Sequence, residues 1–340
     1  MNARRKSQIS EKYVFGFLFA FELLMSFTFL GYIHIEPISV TIAYIPVLLA
    51  GCLLGVWQST VLGCVFGLAS MYKASASYVV NMDAIFSPLT SGAPIQSILL
   101  SVGIRTLFGF LIGVAYALVR NKKHAYVWIA IVSALSTVLQ SGLTTLGIII
   151  MFPEQWKSVR YSGGIYLSNL WVAIFCMLIT VLLWRFYRSN RIQTIFHGID
   201  SKEANLYPQK KEKRHVYVFL GFIVLMSILS TIYFVNRMFL MLAEHGIQVS
   251  DRVEYDILHL QVQFLIASLA LSLIGALLLG IVYRYMHYRE YLVEIDSVTG
   301  IMGRKIFLRR CDSFINDSKN VPLYGCWFLV LDIDDFKSIN

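Results

Sequence analysis

Ile38 to Met71 reads ISVTIAYIPVLLAGCLLGVWQSTVLGCVFGLASM and contains no Asp, Glu, Lys or Arg. Its apolar residues run continuously rather than in alternating stripes, which is the pattern of chain facing lipid or buried in a helical bundle. A helix needs about 20 apolar residues to cross a bilayer. The stretch is therefore read as two spans, 38–55 and 57–72, joined through Gly55-Val56-Trp57, with one long broken helix as the other reading. Gly51, Gly55, Gly63 and Gly67 include two small-xxx-small pairs, which let helix backbones approach closely in a membrane.

Outward from this stretch the same pattern recurs. Further runs near 13–33, 95–119, 125–150, 165–187, 216–237 and 258–283 bring the expected number of transmembrane helices to about eight. Composition agrees, with 57% hydrophobic and 14% charged residues, where a soluble domain has roughly 25% charged. The net charge of +9 comes from short clusters between the runs: Arg4 to Lys6, Arg120 to His124, Arg185 to Arg191 and Lys210 to Arg214. Nucleic-acid recognition needs a continuous basic face, so no nucleic acid is expected as a partner and the lipid bilayer is. The positive-inside rule places these clusters in the cytoplasm. Loops near 73–94, 151–164 and 238–257 then lie outside, and both termini of this multi-pass chain are expected on the cytoplasmic side of the inner or plasma membrane. The first run is too long for a cleaved signal peptide and lacks a small-residue cleavage site, so it is expected to stay as a helix.

Several polar residues stand out against this background. Glu22 and Arg105 fall inside expected spans, where each unpaired charge costs about 2.5–3.5 kcal/mol. They either pair with each other or reach separately toward protein or the interface. His34 and Glu36 at the end of the first run are either an interfacial anchor or a metal or proton site. The loop at 73–94 carries Asn81, Asp83, Ser87, Pro88 and Ser91, and is either the mouth of a small-molecule pocket or a solvated loop. Cys52, Cys64, Cys176, Cys311 and Cys326 show neither a disulfide framework nor zinc spacing and are read as small buried apolar residues.

The glycine-rich helices over about 10–190, including Ile104 to Gly113 with its Gly109 and Gly113, resemble the substrate-binding S component of energy-coupling-factor vitamin transporters. The resemblance implies a six-helix membrane unit over 1–190 with a small-molecule pocket opening to the outer face. A basic connector over 191–214 follows, then a two-helix hairpin over 215–283. Ile281 to Ile295 has no Gly or Pro, so the last span is expected to continue as a helix over 284–295. Tyr283, Met286, Glu290 and Val293 fall at heptad-like spacing for pairing across a dimer.

The final segment, 296–340, opens on Asp296-Ser297-Val298-Thr299-Gly300-Ile301 and reaches Leu331-Asp332-Ile333-Asp334-Asp335-Phe336-Lys337-Ser338-Ile339-Asn340. Between these, Gly303 to about Asp317 has helical spacing and Tyr324 to Leu331 reads as a buried strand delivering Asp332 to its end. Taken alone, Asp332 is either a metal ligand or a helix cap. The two motifs together resemble the start of a GGDEF domain, the module that makes cyclic di-GMP from two GTP, with Val298, Ile301 and Gly303 departing from its usual residues. The fold class expected is thus an α-helical polytopic membrane protein followed by a truncated α/β GGDEF domain. The resemblance implies Mg²⁺ or Mn²⁺ held by the Asp332 carboxylate and the Ile333 carbonyl. It further implies phosphate contacts at Asp335 and Phe336, charge stabilisation by Lys337 and guanine-nucleotide binding by Asn340. Catalysis would require the signature loop and second metal carboxylate beyond Asn340, together with a homodimer, because each domain supplies half a reaction centre. The function expected is a membrane-bound sensor diguanylate cyclase. The alternative is a non-catalytic membrane receptor or transporter-like binding protein with a degenerate GGDEF domain, and a third reading is a truncated, non-functional product.

Overall fold

A computed structural model describes residues 8–35, 38–77, 79, 83–154, 165–201 and 210–293, with residues 299, 301–304, 307–308, 311–312 and 329 beyond them. The chain opens on α1 (Gln8–Phe27), whose apolar run ends earlier than the expected 13–33. A single 3₁₀ turn, Phe29–Gly31, leads instead into an antiparallel hairpin of β1 (Tyr32–Ile35) and β2 (Ile38–Thr41), with Tyr32 opposite Thr41 and Ile35 opposite Ile38. The Gly31 carbonyl accepts from the Ile42 and Ala43 amides at 2.9 and 3.1 Å, which ties the hairpin's exit back to its entrance.

Two helices follow from the opening stretch: α2 (Ile45–Leu53), with Pro46 in its first turn where a missing N–H costs nothing, and α3 (Val56–Lys73). Gly55 separates them at φ 154°, a conformation that residues with a Cβ rarely adopt. The break foreseen at Gly55 is therefore present, but α2 is far shorter than a span. Every residue from Ile45 to Cys52 is buried. Leu48, Leu62, Phe66, Phe108, Ile112, Tyr116 and Ile129 pack with them into one core.

A short 3₁₀ turn (Asp83–Phe86) precedes α4 (Pro94–Ile98), which passes through a π-helical turn, Leu99–Gly103, into α5 (Ile104–Val119). After a turn at left-handed His124 come α6 (Ala125–Met151), α7 (Ile165–Tyr187) and the short amphipathic α8 (Asn190–Asp200). Two long helices finish the fold, α9 (Lys210–Glu244) and α10 (Asp251–Val293). α10 lies along α1, where Leu277 covers Gly16 and Tyr13 covers Gly280, while α9 packs mainly on α10.

The expected fold class is corrected on both counts. Five helical stretches among the described residues are long and apolar enough to cross a membrane, not about eight: Pro94–Val119, Ala125–Met151, Leu170–Tyr187, Leu220–Glu244 and Asp251–Glu290. The shortfall lies entirely in α1, α2 and α3. α1 carries Glu11, Lys12 and Glu22, α3 carries Gln58, Ser59, Thr60 and Lys73, and the nine residues of α2 extend only about 14 Å. Their apolar sides are spent on one another, on α5 for α2 and α3, and on α10 for α1, so their sequence looks lipid-facing while much of their surroundings is protein.

The truncated α/β domain is not seen. Beyond Val293 the described residues include an isolated bridge residue, Met302, and helical residues at Arg304, Phe307-Leu308 and Cys311-Asp312. Tyr324 to Leu331, the expected strand, lies outside the described residues except for Leu329.

Candidate functional site

Glycine sets the geometry of the membrane unit's centre. Gly63 of α3 faces the Arg105 carbonyl and the Cα of Gly109, Gly67 faces Ser101 and Val102, and Gly113 faces Val56, so α3 and α5 meet backbone to backbone. A Cβ at Gly109 would collide with the Ser59 carbonyl. This contact carries the expected small-xxx-small packing and brings Arg105 into the interior.

Arg105 is 8% exposed. Its guanidinium donates through Nη1 to the Ser101 carbonyl at 3.0 Å and lies between the rings of Phe66 and Phe86, at 5.0 and 5.1 Å. The negative faces of two rings and a carbonyl surround the cation from three elements, the arrangement that makes cation–π contacts strongest when water is excluded. The π-helical turn just before it widens the backbone and brings Ser101 and Arg105 to the same side.

Glu22 is fully buried on α1. One carboxylate oxygen accepts from the Ser26 hydroxyl at 3.0 Å, and the other has no hydrogen-bond partner. The two intramembrane charges do not form an ion pair with one another: Glu22 bonds Ser26, and Arg105 bonds the Ser101 carbonyl of the π-helical turn and lies over Phe66 and Phe86.

The 83–94 loop is a set of struts. Ser87 is buried and shares a 2.7 Å hydrogen bond with Ser75, Ser97 donates to the Ile85 carbonyl and to Ser91, each at 2.7 Å, and Ser101 donates to the Phe86 carbonyl. Its serines therefore close the end of the bundle against itself. Asn81 lies outside the described residues. Deeper in the core, the Tyr44 hydroxyl donates to Thr137 at 3.2 Å and accepts from Cys176, and Tyr116 and Ser133 share a 2.7 Å bond. Cys52 and Cys176 are buried as read, Cys64 and Cys311 are half-buried, and Cys326 lies outside the described residues.

The residues assigned to nucleotide chemistry, Asp332, Ile333, Asp335, Phe336, Lys337 and Asn340, all lie outside the described residues, as does Glu36. What the structure supplies is their approach. α10 is one helix of 43 residues, about 65 Å long, against a hydrocarbon thickness of about 30 Å. Within the expected 284–295 extension, His287 contacts Glu290 at 3.1 Å and Tyr283 meets the His287 ring edge-on at 4.3 Å, while Met286 is exposed.

Sequence reasoning missed α8, read as part of a polar connector. Ile199 and Gly198 are buried and Asp200 accepts from the Ser10 amide and hydroxyl at 2.8 and 2.7 Å, capping the first turn of α1. The spacing of Ile192, Ile195, Phe196 and Ile199 is the signal that points to it. No protein-family model, curated protein or solved structure matches this chain.

Proposed function

We propose that this chain is the membrane-embedded sensory part of a diguanylate cyclase. The reading rests on the paired motifs at 296–301 and 331–340, and one structural observation supports it above the others. α10 runs unbroken from Asp251 to Val293 and ends three residues before Asp296, so a membrane helix leads directly into the motif-bearing segment. The product would be cyclic di-GMP formed from two GTP by a homodimer, each ribose 3′-hydroxyl attacking the α-phosphate of the other GTP with loss of pyrophosphate. Asp332 and Ile333 would hold Mg²⁺ or Mn²⁺, which neutralises phosphate charge during phosphoryl transfer. Asp335 and Phe336 amides would seat phosphate, Lys337 would stabilise transferred charge and Asn340 would bind guanine nucleotide. The basic clusters support a cytoplasmic position for this segment, at the inner or plasma membrane.

A second reading, a non-catalytic small-molecule receptor, is favoured by Glu22, a fully buried carboxylate with one partnerless oxygen inside the α1–α7 unit. Membranes carrying the full open reading frame separate the two. Cyclic di-GMP made from GTP by the wild type and abolished by Asp332→Ala supports the cyclase. Folded protein that makes none overturns it in favour of the receptor.

A further inference from the structure

α10 is held at both ends by polar contacts to the rest of the chain. At one end, the strap that follows α3 is gripped by α10 side chains from about two consecutive turns, Arg252 to His259. The Asp256 carboxylate accepts from the Ser77 amide at 2.8 Å and from the Ser77 hydroxyl, Arg252 donates to the Ser77 carbonyl at 3.2 Å, and Tyr255 donates to the Ser75 carbonyl at 3.2 Å. Next to them the His259 ring stacks on Tyr72, with centroids 4.1 Å apart and planes 8° from parallel, and the Tyr72 hydroxyl reaches the His259 carbonyl at 3.5 Å. All three polar groups of Ser77 are used. A strap bonded through its backbone moves only if these contacts break together.

At the other end, Arg284 donates through Nε and Nη2 to the Ile199 carbonyl at 3.3 and 2.9 Å, and the Tyr288 ring lies against Gly198, where any Cβ would strike it. The adjoining Asp200 caps α1, so α8 joins the start of α1 to the far end of α10. Asp256 and Arg284 stand about 42 Å apart along one helix. A continuous helix of that length transmits rotation or sliding more readily than it absorbs it, because bending it needs a Pro, a bulge or an inserted side chain. Where α9 packs on α10, Gln261 donates to the Thr231 carbonyl at 3.4 Å.

We propose that these two clamps make α10 a lever: the 75–77 strap, fixed to the end of α3, sets the position of α10, and its release repositions the Arg284–Tyr288 end and the segment beyond Val293. The inference deepens the cyclase reading by naming its regulation, and it depends on that reading only for the output.

The test uses the protein of the full open reading frame in lipid nanodiscs. Hydrogen exchange is followed at 251–257 and 284–293, with cyclic di-GMP measured in parallel. Asp256→Ala is expected to raise exchange at 251–257 by about tenfold or more, the scale of losing hydrogen bonds to a charged group. It should also change exchange at 284–293 by about threefold, as expected for one cooperative unit. Tyr255→Phe, which removes a single bond, should give smaller shifts in the same two places and covers the case that Asp256→Ala does not fold. Loosening of 251–257 with 284–293 unchanged overturns the lever, as does no change at either place. Product formed at an unchanged rate despite coupled exchange also overturns it as a control. If no variant and no wild-type sample makes product, the cyclase reading falls, and the exchange result still decides the lever.

Discussion

The membrane unit around α3 and α5 and the hairpin of α9 and α10 are built from similar sequence and bury very different amounts of it. In the most apolar window of Pro94–Val119, 44% of residues are buried, whereas in the windows of Leu220–Glu244 and Asp251–Glu290 only 11% are. Both regions contain glycines. In the first, Gly63, Gly67, Gly109 and Gly113 each have a neighbouring backbone where a side chain would begin; in the second, Gly221 and Gly275 have nothing within 4 Å. Lipid is as apolar as leucine, so helices in a membrane associate through close packing and polar contacts rather than through hydrophobic burial. The first region uses both devices, and the second is tied to the rest of the chain by polar contacts where α10 meets the strap after α3 and where it meets α8.

The largest effect that sharpens this contrast is expected from Gly109→Leu. The Cβ would meet the Ser59 carbonyl and the Gly63 Cα from the opposing helix, and neither can move without separating α3 from α5. Overpacking ordinarily costs about 1–3 kcal/mol, and a backbone-on-backbone site should reach the upper end or prevent assembly. Heating in detergent, followed by the fraction remaining monodisperse, measures it. Gly275→Leu serves as the control and should leave that fraction unchanged; equal damage from both would erase the distinction between the regions.

Arg105→Met comes next. It keeps the aliphatic bulk between Phe66 and Phe86 and removes the cation and its bond to the Ser101 carbonyl. With cation–π contacts worth about 2 kcal/mol when desolvated, the net loss should be about 1–2 kcal/mol, since the cost of burying the charge also disappears. Arg105→Ala should lose more, as it adds a cavity. Thermal unfolding of the two variants in one detergent gives the ordering, and equal losses from Met and Ala would show that charge rather than packing dominates the site.

The sequence made the later helices legible and misjudged the early ones for a reason visible in α2. Runs at 95–119, 125–150, 165–187, 216–237 and 258–283 correspond to the five helical stretches long and apolar enough to cross a membrane, and protein leaves much of their surface uncovered. Ile45 to Cys52 is just as apolar, yet it is covered by protein on every side, and hydrophobicity alone does not distinguish the two surroundings. Arg105 and Glu22 were legible as buried charges, but their partners were not. Arg105 lies over Phe66 and Phe86, which no charge-pairing rule points to, and Glu22 accepts through one oxygen from Ser26 one turn along its own helix. The strap at Ser75–Ser77 carries no motif, because two of its four bonds to α10 go through backbone carbonyls that any residue would offer.

Gly221→Ala in α9 should have the smallest effect, and its sign is informative. Nothing within 4 Å opposes the added methyl group, and alanine favours helix over glycine by about 0.8–1 kcal/mol in water. In α9 that preference acts on a helix whose neighbour, α10, touches it along one side, so no packing penalty offsets it. A gain of up to about 1 kcal/mol in resistance to unfolding is therefore expected, read by the same detergent melt. A loss would mean that a helix of a second copy of this chain lies against Gly221 in the membrane. α9 would then be a packing surface like α3, and the contrast between the two regions would hold only for the isolated protomer.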